Sequence, residues 1–129
     1  MKIEKVHEDP RGSIYVGEFG DKKFLILSCK KGAPRGGHYH TTKDTHFISS
    51  GSLELRLTNS ENPEKEEKRI VKSGDVIETE PGIAHLFTAL EDSVIMETKE
   101  KEFNTKNYRP YRKIVEEFIE KNKWFLWKN

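Results

Sequence analysis

From the N-terminus to about residue 99 the chain never keeps one structural period for long. Short apolar or alternating runs cover 1–6, 13–19, 23–29, 44–50, 52–59, 69–71, 75–79, 84–89 and 93–99. Between them stand turn formers: Pro10-Arg11-Gly12, Gly20-Asp21, Gly32-Ala33-Pro34, Gly51, Gly74 and Pro81-Gly82. Runs of this length suit strands better than helices. Leu53, Leu55 and Leu57 alternate with polar neighbours, the pattern of a half-buried strand, while Phe24-Leu25-Ile26-Leu27 is continuous, the pattern of a fully buried one. The charged stretch 60–68 around Pro63 reads as an exposed hairpin end, and 31–37 as a loop. Close to ten such strands at regular spacing predict a closed barrel or jelly roll.

Composition fits that expectation. Only 33% of the 129 residues are hydrophobic and 35% are charged, which a small barrel with a solvated outer face explains. The length suits one domain with a real core. A net charge of +1 leaves no electrostatic footprint for nucleic acid or an anionic membrane. No apolar run is long enough to span a bilayer. The single cysteine, Cys29, rules out an internal disulfide and reads as a small buried hydrophobe. A cytoplasmic location is expected.

After residue 102 the period changes. Pro110 suits the first turn of a helix. Tyr111, Ile114, Val115, Phe118 and Ile119 then recur at helical spacing, with Arg112, Lys113, Glu116, Glu117 and Lys121 opposite them. This predicts a helix over 108–122, packed by one face on the outside of a barrel over 1–102. The aromatic tail 123–129, with Trp124-Phe125-Leu126-Trp127, is expected to fold over the barrel, cap an opening or enter a dimer interface.

Chemistry gathers in two stretches. His38 and His40 lie one residue apart, so on extended backbone they project to one face. Asp44 follows four residues later, and His85 comes just after the Pro81-Gly82 turn. Neutral imidazole nitrogens and carboxylate oxygens are donors that borderline divalent metals take. Three histidines and one acid do not fill an octahedral shell, so positions stay open for water or substrate. His46 shares the strand face of Asp44 and is expected as a pocket residue or reserve ligand, whereas His7, beside acids and a turn, is expected at the surface.

These two stretches resemble the two motifs of the cupin superfamily. The first falls on His38, His40, Asp44 and Gly51; the second falls on Gly74, Gly82 and His85, with Pro81 one place later than usual and Glu80 in the customary proline position. The motif acid is normally glutamate, and Asp44 is one methylene shorter. Either the backbone moves closer, or Asp44 binds through a water, or His46 substitutes for it. The resemblance implies an all-β fold, a cupin-type double-stranded β-helix (jelly-roll) barrel carrying the C-terminal α-helix, as one domain over 1–129. It also implies a divalent transition metal (Mn, Fe, Co, Ni or Zn) on His38, His40, Asp44 and His85, and a homodimer, since cupin barrels commonly pair through outer strands.

A narrower likeness surrounds the first motif. Pro34-Arg35-Gly36-Gly37-His38-Tyr39-His40, with Pro10-Arg11-Gly12 and Tyr108-Arg109-Pro110-Tyr111, resembles cupin-fold sugar-nucleotide ketoisomerases and epimerases. That likeness implies a metal-free proton transfer beside a keto group, with His38 or His40 as base and Tyr39 or Tyr15 as acid. The presence of His85 and Asp44 favours the metal reading. The first expectation is therefore a metal-dependent cupin acting on a small polar molecule, a sugar or keto compound, in an isomerase- or epimerase-like reaction with the metal as Lewis acid. Phe47, Ile48 and Phe87 are expected as apolar pocket walls, and Arg35 either grips an anionic substrate group or makes an outward salt bridge. The metal-free isomerase is the second expectation; a dioxygenase would use the same ligand set with iron. A non-catalytic small-ligand module ranks last, because no helix-turn-helix is there to read out binding.

Overall fold

A computed structural model describes residues 2–99 and 105–123. Its strands are β1 (Lys2–Asp9), β2 (Gly12–Phe19), β3 (Lys22–Cys29), β4 (Pro34–His40), β5 (Asp44–Ser50), β6 (Ser52–Asn59), β7 (Glu66–Lys72), β8 (Val76–Thr79), β9 (Ile83–Ala89), β10 (Ser93–Lys99) and β11 (Thr105–Asn107). One helix, α1 (Arg109–Lys121), follows. The strands form two antiparallel sheets, ordered β1-β2-β3-β10-β5-β8 and β11-β4-β9-β6-β7. The architecture is a jelly roll with a helix on its outer surface.

Alternation decides which side chains fill the space between the sheets. Leu53 and Leu55 of β6, Ile48 of β5 and Ile95 of β10 are fully buried, and they pack with Leu27, Cys29, Val71, Ile77, Phe87 and Ala89. Burying each large aliphatic chain contributes roughly 1.5–3 kcal/mol, so this layer is what holds the sheets face to face. Cys29 is a free thiol inside it.

A second apolar cluster lies on the other side of the five-stranded sheet. Ala84 and Leu86 of β9 meet Tyr111 and Val115 of α1, with Tyr39, Tyr108, Ile114 and Ile119 packed around them. The Tyr111 hydroxyl donates to Glu66 Oε2 at 2.6 Å, and the Arg56 guanidinium sits 5.2 Å from the centre of the Tyr111 ring. At the start of the helix, the Tyr108 N–H donates to the Gly37 carbonyl at 2.9 Å.

Four elements differ from the expectation. β4 begins at Pro34, inside the stretch read as a loop, because pairing of Pro34, Arg35 and Gly36 with β9 outweighs the poor strand propensity of Pro and Gly. β7 starts at Glu66, so strand pairing reaches into the charged excursion. β11 carries the sheet past residue 102, and β1 continues to Asp9. The pairing of β4 with β9 shifts register between Gly36 and His38, which marks a bulge. Gly37 there has φ +85°, and a Cβ on it would come within 2.8 Å of Arg112 Cα. Glycine at this point lets α1 lie directly against the strand. The aromatic tail 124–129 falls outside the described residues. Among the described residues, no helix is long and apolar enough to cross a membrane.

Candidate metal centre

Six buried or half-buried donors meet between the sheets. β4 brings His38 and His40, β9 brings His85, β5 brings Asp44 and His46, and β10 brings Glu97. His38 and His85 are cross-strand partners, as are His46 and Glu97. Ring centres lie 6.0 Å apart for His38 and His40, 5.9 Å for His38 and His85, 5.4 Å for His40 and His85, and 5.0 Å for His46 and His85.

Three overlapping sets each place their ligand atoms within 4.8 Å of one another: His38, His40 and His85; Asp44, His46 and His85; His40, Asp44 and Glu97. Ligands on opposite sides of an ion at typical Zn–N or Zn–O distances stand about 4.2 Å apart. Each set is therefore of a size that a single ion spans, and the nitrogen and oxygen donors suit a borderline divalent metal.

Burial sets the protonation of these groups. It pushes His38 down to about 4, helped by the charge of His40, and it also lowers His46 and His85. Neutral imidazole is the form that ligates. For Asp44, burial acts to raise the pKa, but the His40 hydrogen bond and the charges of His46 and His85 outweigh it, and the carboxyl is held below its ordinary range. His40 Nδ1 meets Thr105 Oγ1 at 3.1 Å, which turns its Nε2 toward Asp44 Oδ2, 3.0 Å away. His38 Nδ1, His46 Nδ1, His85 Nδ1 and Asp44 Oδ1 are buried with no hydrogen-bond partner among the described residues. Each such atom costs about 1–3 kcal/mol. A cation offsets that cost for the atoms that face it.

The structure brings His38, His40, Asp44, His85 and His46 together. Phe87 also faces inward, its ring 5.0 Å from that of His46, and Ile48 sits in the core below. Phe47 requires a correction: it is 40% exposed, because it stands between inward-facing His46 and Ile48 and a strand alternates its faces. Tyr39 is likewise not beside the cluster. Lying between His38 and His40, it points to the opposite side of β4 and packs under α1. On β2, Ile14 and not Tyr15 reaches the interior. Among the described residues Arg35 makes no salt bridge; it is 2% exposed and lines a cavity.

That cavity, about 320 Å³, runs up to the cluster and is lined by Arg11, Leu27, Arg35, His38, Glu97 and Arg112 among others. His7 stands at it too, paired with Asp9 at 2.8 Å and half exposed. A larger hollow of about 420 Å³, lined by Leu57, Glu66, Arg69 and Glu78, touches none of the six donors. Glu97 went unnoticed in the sequence. The available signal was parity: Ser93, Ile95 and Glu97 share the buried face of β10, and an acid there has to serve something.

Fold and site together define a class: a cupin-type barrel with a cluster of histidines and carboxylates in its interior that could hold a metal ion. No protein-family model matches the sequence, and no curated protein does. Among solved structures, the capsular polysaccharide assembling protein CapF from Staphylococcus aureus is similar at 22% identity and TM-score 0.65, over 78% of this chain and 29% of that one. The Bacillus subtilis oxalate decarboxylase studied for its Mn(II) centres aligns at 17% identity and TM-score 0.66, over 81% and 30%. Vicilin from hazelnut, Corylus avellana, aligns at 14% identity and TM-score 0.65, over 81% and 34%. The chain spans about a third of the length of these structures. At such identities the likeness concerns the fold, and the fold of this chain is the cupin fold.

Proposed function

We propose that this chain is a metal-dependent cupin enzyme that acts on a small polar molecule, a sugar or keto compound, by isomerase- or epimerase-like proton transfer. The observation that carries this reading is the set of three overlapping donor trios in the interior, beside a cavity sized for a small ligand. His38, His40 and His85 with Asp44 would hold a divalent ion, with His46 beside them as a further donor and Glu97 left to handle protons. When bound, such an ion supplies a Lewis acid for a carbonyl or hydroxyl oxygen. Mn is supported by the Mn(II) centres of the oxalate decarboxylase named above, and Fe, Co, Ni and Zn accept the same donors.

The chain's own groups do the remaining work. Ile14, Leu25 and Leu27 supply the apolar part of the cavity wall. Glu97 borders both the cavity and the cluster, so its carboxylate is the group to take a proton from a carbon beside the polarised oxygen and return it. His38, half-buried at the cavity side, orients the reacting oxygen. Metal analysis of the purified protein tests the reading. A stoichiometric divalent metal that disappears in His85→Ala supports it. Metal-free protein that retains isomerase activity overturns it, in favour of His38 or His40 as base without a metal.

A further inference from the structure

We propose that the cavity beside His38 is an oxyanion-recognition pocket, in which Arg35 and Arg112, on a lining that Arg11 shares, bind a carboxylate or phosphate group of a small molecule. Assigning that group to the substrate rests on the enzymatic reading above; the pocket's affinity for an oxyanion does not.

The cavity's polar groups divide unevenly. Arg11 is satisfied: its Nε lies 3.1 Å from Asp9 Oδ1 and its Nη2 lies 2.7 Å from Asp9 Oδ2. Asp9 also meets His7 Nε2 at 2.8 Å, so its charge is already shared. Glu97 also lines the cavity, and its Oε1 lies 3.8 and 3.6 Å from the Nε2 atoms of His40 and His46. Arg35 and Arg112 form no ion pair with a carboxylate among the described residues. Arg35 Nη2 donates to the Ser28 carbonyl at 2.8 Å and more weakly to the Ser13 carbonyl at 3.5 Å, while its buried Nε has no partner there. Arg112 Nη1 donates to the Gly36 carbonyl at 3.1 Å.

Asp9, whose charge reaches both Arg35 and Arg112, is already paired with Arg11. A guanidinium buried with no ion pair of its own, as Arg35 is, is among the costlier arrangements a fold can hold. Here it is built with care. The bulge at Gly36–Gly37 puts Arg35 and His38 on the same cavity although an odd number of positions separates them, and Gly37 lets α1 bring Arg112 alongside. Guanidinium groups match carboxylate and phosphate oxygens in geometry as well as charge. The volume lies at the small end of ligand pockets. The occupant is accordingly a small organic anion, an oxo or hydroxy acid or a small sugar phosphate, with its oxyanion at the arginines and its reacting oxygen toward His38 and Glu97.

Calorimetric titration of the full chain with inorganic phosphate, and separately with malonate, tests this before and after chelator treatment. One of the two probes is expected to bind, to keep binding after chelation, and to weaken by about tenfold or more in Arg112→Gln. The tighter probe tells phosphate ester from carboxylate. Arg112 is only partly buried, so its variant tests the pocket even where Arg35→Gln fails to fold, and an unchanged melting temperature of Arg112→Gln rules out a trivial loss. No binding of either probe, binding that vanishes with the chelated metal, or binding that Arg112→Gln leaves within about twofold overturns the proposal. Absence of metal from the purified protein would overturn the enzymatic reading alone.

Discussion

Asp44 Oδ2 stands 3.0 Å from His40 Nε2, and the same oxygen lies 3.6 Å from His46 Nε2 and 4.0 Å from His85 Nε2. One carboxylate oxygen thus faces three imidazoles, so Asp44 is the focus of the cluster. Replacing it with asparagine keeps the shape and removes the charge. Asp44→Asn is expected to weaken metal affinity by at least about tenfold, the lower bound typical even of an outer-sphere partner. Competition with a chromophoric chelator measures this, and an affinity equal to the parent protein would remove Asp44 from the ligand set.

Acid should loosen the metal-free protein. His38 is held at about 4 in the folded chain against 6.5 when exposed, and His46 and His85 are lowered as well. The unfolded chain then binds more protons in the range between, so stability is complete above pH 6.5 and declines as the pH falls toward 4. Asp44, also lowered, adds to the loss below its ordinary 3.8. Denaturant midpoints of chelated protein, read from neutral to mildly acidic pH, should fall steadily. A flat profile would contradict burial as the source of the shifts.

Two phenylalanines of adjacent regions should behave oppositely. Phe87 is buried beside His46, and Phe87→Ala is expected to cost about 3–5 kcal/mol. Phe47 points outward, and Phe47→Ala should cost about 1 kcal/mol or less. Urea unfolding of both variants decides it; equal losses would mean that Phe47 is a wall of the interior.

Gly37→Ala tests the contact between strand and helix. At φ +85° a side chain adds about 1–3 kcal/mol of backbone strain. The added Cβ would also press on backbone atoms of Arg112 at 2.8 and 2.9 Å, which cannot yield as a side chain would. Thermal unfolding should show a loss of at least that size, with Gly74→Ala, whose added Cβ meets nothing within 4 Å, as the control for strain alone.

What could be read in advance follows from where local rules suffice. Strand alternation and turn residues predict β6 and β10 closely, and one intervening residue is enough to put His38 and His40 on a common face. Phe47 and Ile48 could not both line a pocket, since neighbours on a strand diverge. Arg35 was harder. Its spacing from His38 is odd, and only the bulge, which depends on pairing with β9, aligns the two. Glu97 carried no signal of its own, because an acid in a strand usually faces solvent. Its inward side becomes evident only once Ile95 is known to be in the core. The placement of Tyr39 beneath α1 depends on a helix more than sixty residues further along the chain.

The six donors do not all come from one layer. His38, His40 and His85 stand on the five-stranded sheet, while Asp44, His46 and Glu97 stand on the six-stranded one. Whatever these groups clasp in common is a rivet between two plates. Its binding energy is available only while the plates are shut, so ion affinity and resistance of the barrel to prising apart are one quantity seen from two sides.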